Sequence, residues 1–176
     1  MAVAGIKDVI TDLLAKIETN TSFKYVRVFN NQFQQMEDGT IESFPMPCAF
    51  VEIVAPQSYD QLGIGYTISD LFIRVHIGQV EYDTQDGTME QNLSIFALRD
   101  AVIYLLQYYE PTGCGGMMKI AEQQDYQHTN VYHYQIDFKC AFVDTLGKTD
   151  GDLITKDPPT DLTVNATFDK TYLHKP

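Results

Sequence analysis

Apolar and polar side chains alternate with period two through NVYHYQIDFKCAFVD, residues 130–144. Tyr132, Tyr134, Ile136, Phe138, Cys140 and Phe142 fall on one side. His133, Gln135, Asp137 and Lys139 fall on the other, bracketed by Val131, Ala141 and Val143. A strand points successive side chains to opposite faces, so this pattern predicts a strand with one buried and one wetter face. Elsewhere the period lengthens. Ile6, Val9, Ile10, Leu13, Leu14 and Ile17 share one helical face, predicting an amphipathic helix over residues 3–18 that ends in the Thr/Asn/Ser cluster at 19–22. Ile95, Leu98, Val102, Leu105, Leu106 and Tyr109 form a second stripe. Thr88 with Gln91 suits a capping box ahead of it, and Glu110-Pro111-Thr112-Gly113 is expected to end it.

The remaining patterns are shorter. Phe23–Phe29 predicts a strand with Phe23, Tyr25, Arg27 and Phe29 on one face and Val26 and Val28 on the other. The polar stretch NNQFQQMEDGTIES, with a turn signal at Asp38-Gly39, suits a hairpin or an irregular loop. Pro45 and Pro47 lead into Cys48–Val54, apolar on both faces except for Glu52 and therefore expected at the centre of a sheet. Leu62, Ile64, Tyr66 and Ile68 alternate in one parity, and Leu71, Ile73, Val75 and Ile77 in the other. That one-residue shift predicts a bulge or bend in a long strand or hairpin whose first half projects beyond the sheet. A short strand is expected near Met117–Ala121, followed by a polar linker, EQQDYQHT.

From Thr145 the chain turns rich in Thr, Asp, Lys and Pro, with one alternating run at Leu162, Val164, Ala166 and Phe168. A lone apolar strand in such a tail suits docking on a sheet edge, its own or a neighbour's; a loose terminus is the alternative. The expected architecture is α+β. A mixed or antiparallel twisted sheet of four to six strands packs against two amphipathic helices in residues 1–144, with an extended arm over 145–176.

Composition narrows the function classes. The net charge is −12, and between Val28 and Met118 only Arg74 and Arg99 oppose twelve carboxylates. Such a surface repels phosphate, which argues against a grip on nucleic acid, and the aromatic side chains lack the cations that base-stacking platforms need. No run approaches the ~18–20 apolar residues of a membrane span. A basic region followed by an apolar core is absent from the N-terminus, so no signal peptide is expected. Cys48, Cys114 and Cys140 form no CxxC pair, which suits a reducing compartment without disulfides.

Candidate chemistry is sparse. Gly147-Lys148-Thr149 would need a glycine at Phe142 to complete a phosphate loop. Gly63-x-Gly65 lacks a third glycine, and Asp150-Gly151-Asp152 lacks the closing Glu of a calcium loop. Cys140 lies on an apolar face and Cys114 in a glycine turn, so neither suits a nucleophile. His76 and His133 occupy the polar faces of their strands. Were those strands adjacent, the two imidazoles would face each other, with His128 a third potential ligand. No HxH or HExxH spacing accompanies them, so no metal, cofactor or catalytic residue is assigned.

The order of helix, strands, Pro-led strand (FPMPCAFVEI), long strand (DLFIRVHIG), helix (IFALRDAVIYLLQYY) and late strand (HYQIDFKCAFVD) resembles the tail-terminator and head–tail joining (neck) proteins of tailed bacteriophages. The resemblance covers residues 3–144 and rests on layout, since no single residue is diagnostic. It implies a non-enzymatic virion protein, assembled in the host cytoplasm, that forms a homo-oligomeric ring, commonly hexameric. Such a ring would end tail polymerisation, join tail tube to neck and connector proteins, and let DNA pass without specific binding and without any membrane. Under it, Tyr59, Leu62, Ile64, Tyr66, Leu162, Val164 and Phe168 are expected at subunit interfaces, and Glu37, Asp38, Glu42, Glu81, Asp83 and Asp86 along the channel. The tail from Thr145 onward departs from the compact family pattern. The alternative is a small cytosolic enzyme or ligand-binding domain with a pocket between helix and sheet.

Overall fold

A computed structural model describes residues 5–54, 58–63, 66–80, 89–128 and 131–147; for Leu62, Tyr66 and residues 89–92 the backbone alone is described. Among the described residues, three helices and a mixed six-stranded sheet make an α+β fold. The elements run α1 (Ile6–Glu18), β1 (Tyr25–Val28), α2 (Gln32–Glu37), β2 (Cys48–Ile53), β3 (Tyr59–Gly63), β4 (Tyr66–Val80), α3 (Met89–Leu106), β5 (Met118–Asp125) and β6 (Val131–Asp144). The sheet order is β1-β2-β4-β6-β5, with β3 pairing β4 alongside. The projected arm, and with it Leu162, Val164 and Phe168, lies outside the described residues.

Each face of the sheet carries its own core. On one, Val9, Leu13 and Ile17 of α1 and Ile95, Leu98, Val102 and Leu106 of α3 pack on Ala49, Val51, Leu71, Ile73, Val75, Ile77, Ile136, Phe138 and Phe142. Both helical stripes thus fall where the spacing predicts. A capping contact between the Gly5 N–H and Asp8 Oδ2 (2.9 Å) secures the start of α1. On the opposite face, Phe33, Cys48, Phe50 and Val131 are buried, with Tyr25, Phe29, Met36, Phe44 and Met46 packed around them. Val26 and Phe23 join the first core while Tyr25 and Phe29 join the second, so Phe23 sits apart from the face its parity predicts. It precedes β1, where the backbone is not yet a strand.

The second core explains two departures from expectation. The polar stretch after β1 is neither hairpin nor loop: it holds α2, inside the connection between the parallel strands β1 and β2. A parallel pair needs such a crossover, and α2 uses it to cover the sheet. The face of β6 expected to be wet is therefore partly dry, with His133 and Gln135 buried. Tyr132 and Tyr134, expected in the core, are only half-buried at its margin.

β4 and β6 form an antiparallel ladder from Thr67↔Asp144 to Val80↔Val131 without a slip. The parity shift near Asp70 therefore marks no bulge in β4; the register shift lies in β3, between Gln61 and Gly63. What changes along β4 is the neighbour. Ile73–Gly78 pair with β2, whereas Tyr66–Ser69 pair with β3. The apolar row switches face with the surface that has to be covered. Helix α3 ends at Leu106, ahead of the Pro-Thr-Gly signal. Tyr108 there adopts a left-handed φ of 62° and donates its N–H to the Met117 carbonyl (2.7 Å), folding the chain back toward β5. β5 then extends to Asp125 and absorbs most of the expected linker.

Gly78 marks the tightest packing on the α2 side. A Cβ at this position would stand 2.5 Å from Phe33 Cε1 and 2.8 Å from Cys48 Sγ. Gly78→Val should therefore destabilise by about 1–3 kcal/mol through overpacking. Thermal unfolding followed by circular dichroism checks this, and an unchanged midpoint would contradict the close packing of Phe33.

Candidate functional site

The register of the sheet carries the most organised polar cluster among the described residues. β2, β4, β6 and β5 are consecutive neighbours, and each contributes one side chain to a diagonal row on the α2 face. Glu52 comes from β2, His76 from β4, His133 from β6 and Asp125 from β5. His133 stands directly opposite Asp125. His76 stands opposite Gln135, one diagonal step from His133, and opposite Phe50, one step from Glu52. Diagonal neighbours two residues apart lie within reach of long side chains, so register alone aligns the row.

The contacts are short. His76 Nε2 lies 3.0 Å from Glu52 Oε2, His76 Nδ1 lies 2.9 Å from His133 Nε2, and His133 Nδ1 lies 3.2 Å from Asp125 Oδ2. The last approach has the wrong angle for a hydrogen bond, and among the described residues His133 Nδ1 has no hydrogen-bond partner. His76 is 2% exposed and His133 1%. From the turn after β5, His128 places Nδ1 3.2 Å from Glu37 Oε2 of α2. Asp125 accepts hydrogen bonds from Gln135 Nε2 (3.2 Å) and the Gln127 N–H (2.9 Å). Gln123 steadies Gln135 in turn, donating from Nε2 to its Oε1 (2.9 Å).

Aromatic rings roof the row. Phe29 stacks on His76 with centroids 3.7 Å apart, and Phe33 leans on His133 at 4.5 Å and on His128 at 5.5 Å. Burial pushes the imidazolium of His76 down to about 3, helped by the nearby Arg74 charge. Burial likewise lowers His133 to about 3, with the neighbouring His76 acting in the same direction. Both rings are neutral near pH 7. Alongside the row, Arg74 and Asp137 form a bidentate pair at 2.6 and 2.9 Å across β4 and β6. A cleft of about 260 Å³, lined by Gln124, Asp125, Gln127, His128, Val131 and Tyr132, connects the Asp125 end to solvent.

The two imidazoles singled out in the sequence thus do face each other, because β4 and β6 are adjacent. Glu52, Asp125 and Glu37 were not legible as their partners. The spacing Asp125-x-x-His128-x4-His133 at the end of a strand was the available signal, but its meaning depends on the β5–β6 pairing.

The residues expected at assembly surfaces are distributed differently. Tyr59 is 39% exposed on β3, Leu62 is a backbone member of the same strand, and Tyr66 opens β4. Ile64, Glu81, Asp83 and Asp86 lie outside the described residues. Asp38 and Glu42 are exposed, Asp38 accepting from Gln34 Nε2 (2.9 Å). Glu37 is not a free channel carboxylate: its side chain is 15% exposed and faces His128. A hollow of about 410 Å³ at the base of the β3–β4 hairpin is lined by Ser58, Asp60, Ile68, Ser69, Asp70, Phe72 and Ala141.

Among the described residues, no helix is long and apolar enough to cross a membrane. The chain matches no protein-family model, and a search of curated proteins finds no match.

Proposed function

We propose that this is a non-enzymatic virion protein that assembles into a ring at the head–tail junction or the top of a phage tail tube, ending tube polymerisation and joining tail to neck. The observation that carries this reading is the β3–β4 hairpin. The β4–β6 ladder runs from Thr67 to Val80, yet β2 flanks it only over Ile73–Gly78. Tyr66–Ser69 are flanked by β3, whose outer edge has no paired strand among the described residues. Tyr59 and Phe72 are exposed there. An open edge beside exposed aromatic side chains is a ready surface for a neighbouring subunit. The layout resemblance supplies the phage context, and the net charge of −12 suits a lumen through which DNA passes without being held.

Size-exclusion chromatography with light scattering tests the reading. The protein should form a discrete oligomer, alone or with tail-tube protein. Deleting residues 158–176 should weaken assembly and leave the domain folded. A strict monomer at high concentration in both settings would count decisively against the ring, and assembly unchanged by the deletion would remove the arm from it.

A further inference from the structure

We infer that Asp125, His128 and His133 form a binding site for one divalent transition-metal ion of borderline softness, Zn²⁺ in the first place. One ligand atom from each of the three residues lies within 4.8 Å of the others. Ligands held at about 2.0–2.2 Å in a Zn²⁺ tetrahedron stand about 3.3–3.6 Å apart, so the cluster closes on an ion by contracting about an ångström. Two imidazoles with one carboxylate suit Zn²⁺ or a similar metal, whereas Ca²⁺ and Mg²⁺ favour all-oxygen sets.

The proton arrangement along the row makes the case specific. The Glu52 carboxylate can only accept, so His76 Nε2 carries the hydrogen that bridges their 3.0 Å contact. The other ring nitrogen of His76, Nδ1, serves as the acceptor in the next link. The 2.9 Å contact to His133 is therefore donated by His133 Nε2. His133 Nδ1 is left with its lone pair, 3.2 Å from Asp125 Oδ2 but off the line of a hydrogen bond to it. Two electron-rich atoms thus lie side by side where His133 is 1% exposed and, among the described residues, Nδ1 has no hydrogen-bond partner. Asp125 Oδ2 accepts from Gln135 Nε2 at 3.2 Å and, like His133 Nδ1, keeps a lone pair for a ligand ion. A metal ion satisfies both atoms.

The surroundings match what a metal centre requires. The hydrogen bond from His133 through His76 to Glu52 fixes the tautomer and ring plane of one ligand. Glu37 does the same for His128: its carboxylate accepts the Nδ1 hydrogen at 3.2 Å and leaves Nε2 with a lone pair. Gln135 and the Gln127 N–H orient Asp125. The adjoining cleft supplies a path for the ion and room for water at its remaining positions. The inference stands apart from ring assembly, since every atom comes from one chain.

The test is equilibrium dialysis of the metal-stripped full-length protein against Zn²⁺, with metal analysis, repeated with Co²⁺ to read the ligand field by absorption. One ion per chain is expected, with a Co²⁺ spectrum of low symmetry and nitrogen ligation. His128→Gln and Asp125→Asn, both near the cleft, should each weaken binding at least tenfold. Glu52→Gln, which acts only through His76, should weaken it less. Circular dichroism identifies variants that remain folded. Absence of Zn²⁺ and Co²⁺ binding by the wild type, or binding that survives both ligand substitutions in folded protein, would overturn the site.

Discussion

Phe33→Ala should lower the stability of the domain by about 3–5 kcal/mol, the largest effect expected of any single truncation on the α2 side of the sheet. Phe33 is fully buried although it belongs to a helix of six residues. It is the only buried residue of that helix and meets the rings of Phe29, Phe44, Phe50, His128 and His133. Its removal would leave a cavity under α2 that a short helix cannot close, since α2 has no second buried anchor to hold it down. Water would also reach the His76–His133 row. Urea unfolding with an unchanged slope against denaturant measures the loss. A loss below about 1 kcal/mol would show that α2 is not what seals this face.

The second large effect concerns pH. Stability should fall as the pH is lowered from about 7 to about 5, in metal-free buffer. His76 and His133 are each depressed to about 3 in the folded protein by burial, against an ordinary value near 6.5. Between those values the unfolded chain takes up protons that the folded chain refuses. Their contribution is therefore present in full above the unfolded value and is lost as the pH falls toward the folded one. The slope is at most about 1.4 kcal/mol per pH unit for each ring. Carboxylates act lower. Glu122, for example, is held below its ordinary value chiefly by hydrogen bonding to Arg99, so it contributes above its unfolded value and loses that contribution only at more acid pH. Denaturant unfolding at several pH values in the His window separates the two groups. A flat profile there would mean that the rings take up protons in the folded chain over the same pH range as in the unfolded one, so that burial does not exclude their charge.

These two effects meet at one feature that no local pattern announces. Helix α2 has one buried side chain in six residues, too few for any 3.6-residue period to emerge from QFQQME. Its local signals were Asn31 ahead of it, helix-forming Gln, Met and Glu within it, and Gly39 after it at a φ of 67°. The same residues equally suit a turn.

The sequence by itself determined the elements whose periodicity is long enough to be unambiguous. Helices α1 and α3, the apolar strand β2, the long strand β4 and the strand β6 lie where their spacing places them, because each buries a repeated row of side chains. Tertiary structure alone decided which strands are neighbours. That choice turned the expected wet face of β6 into a second core and brought His133 to His76. It aligned Glu52, His76, His133 and Asp125 into one row from four separate segments. The physical reason is that a strand's pattern encodes which faces are apolar but not what lies beside it. A diagonal row across a sheet exists only once register is set, and register is a property of pairs.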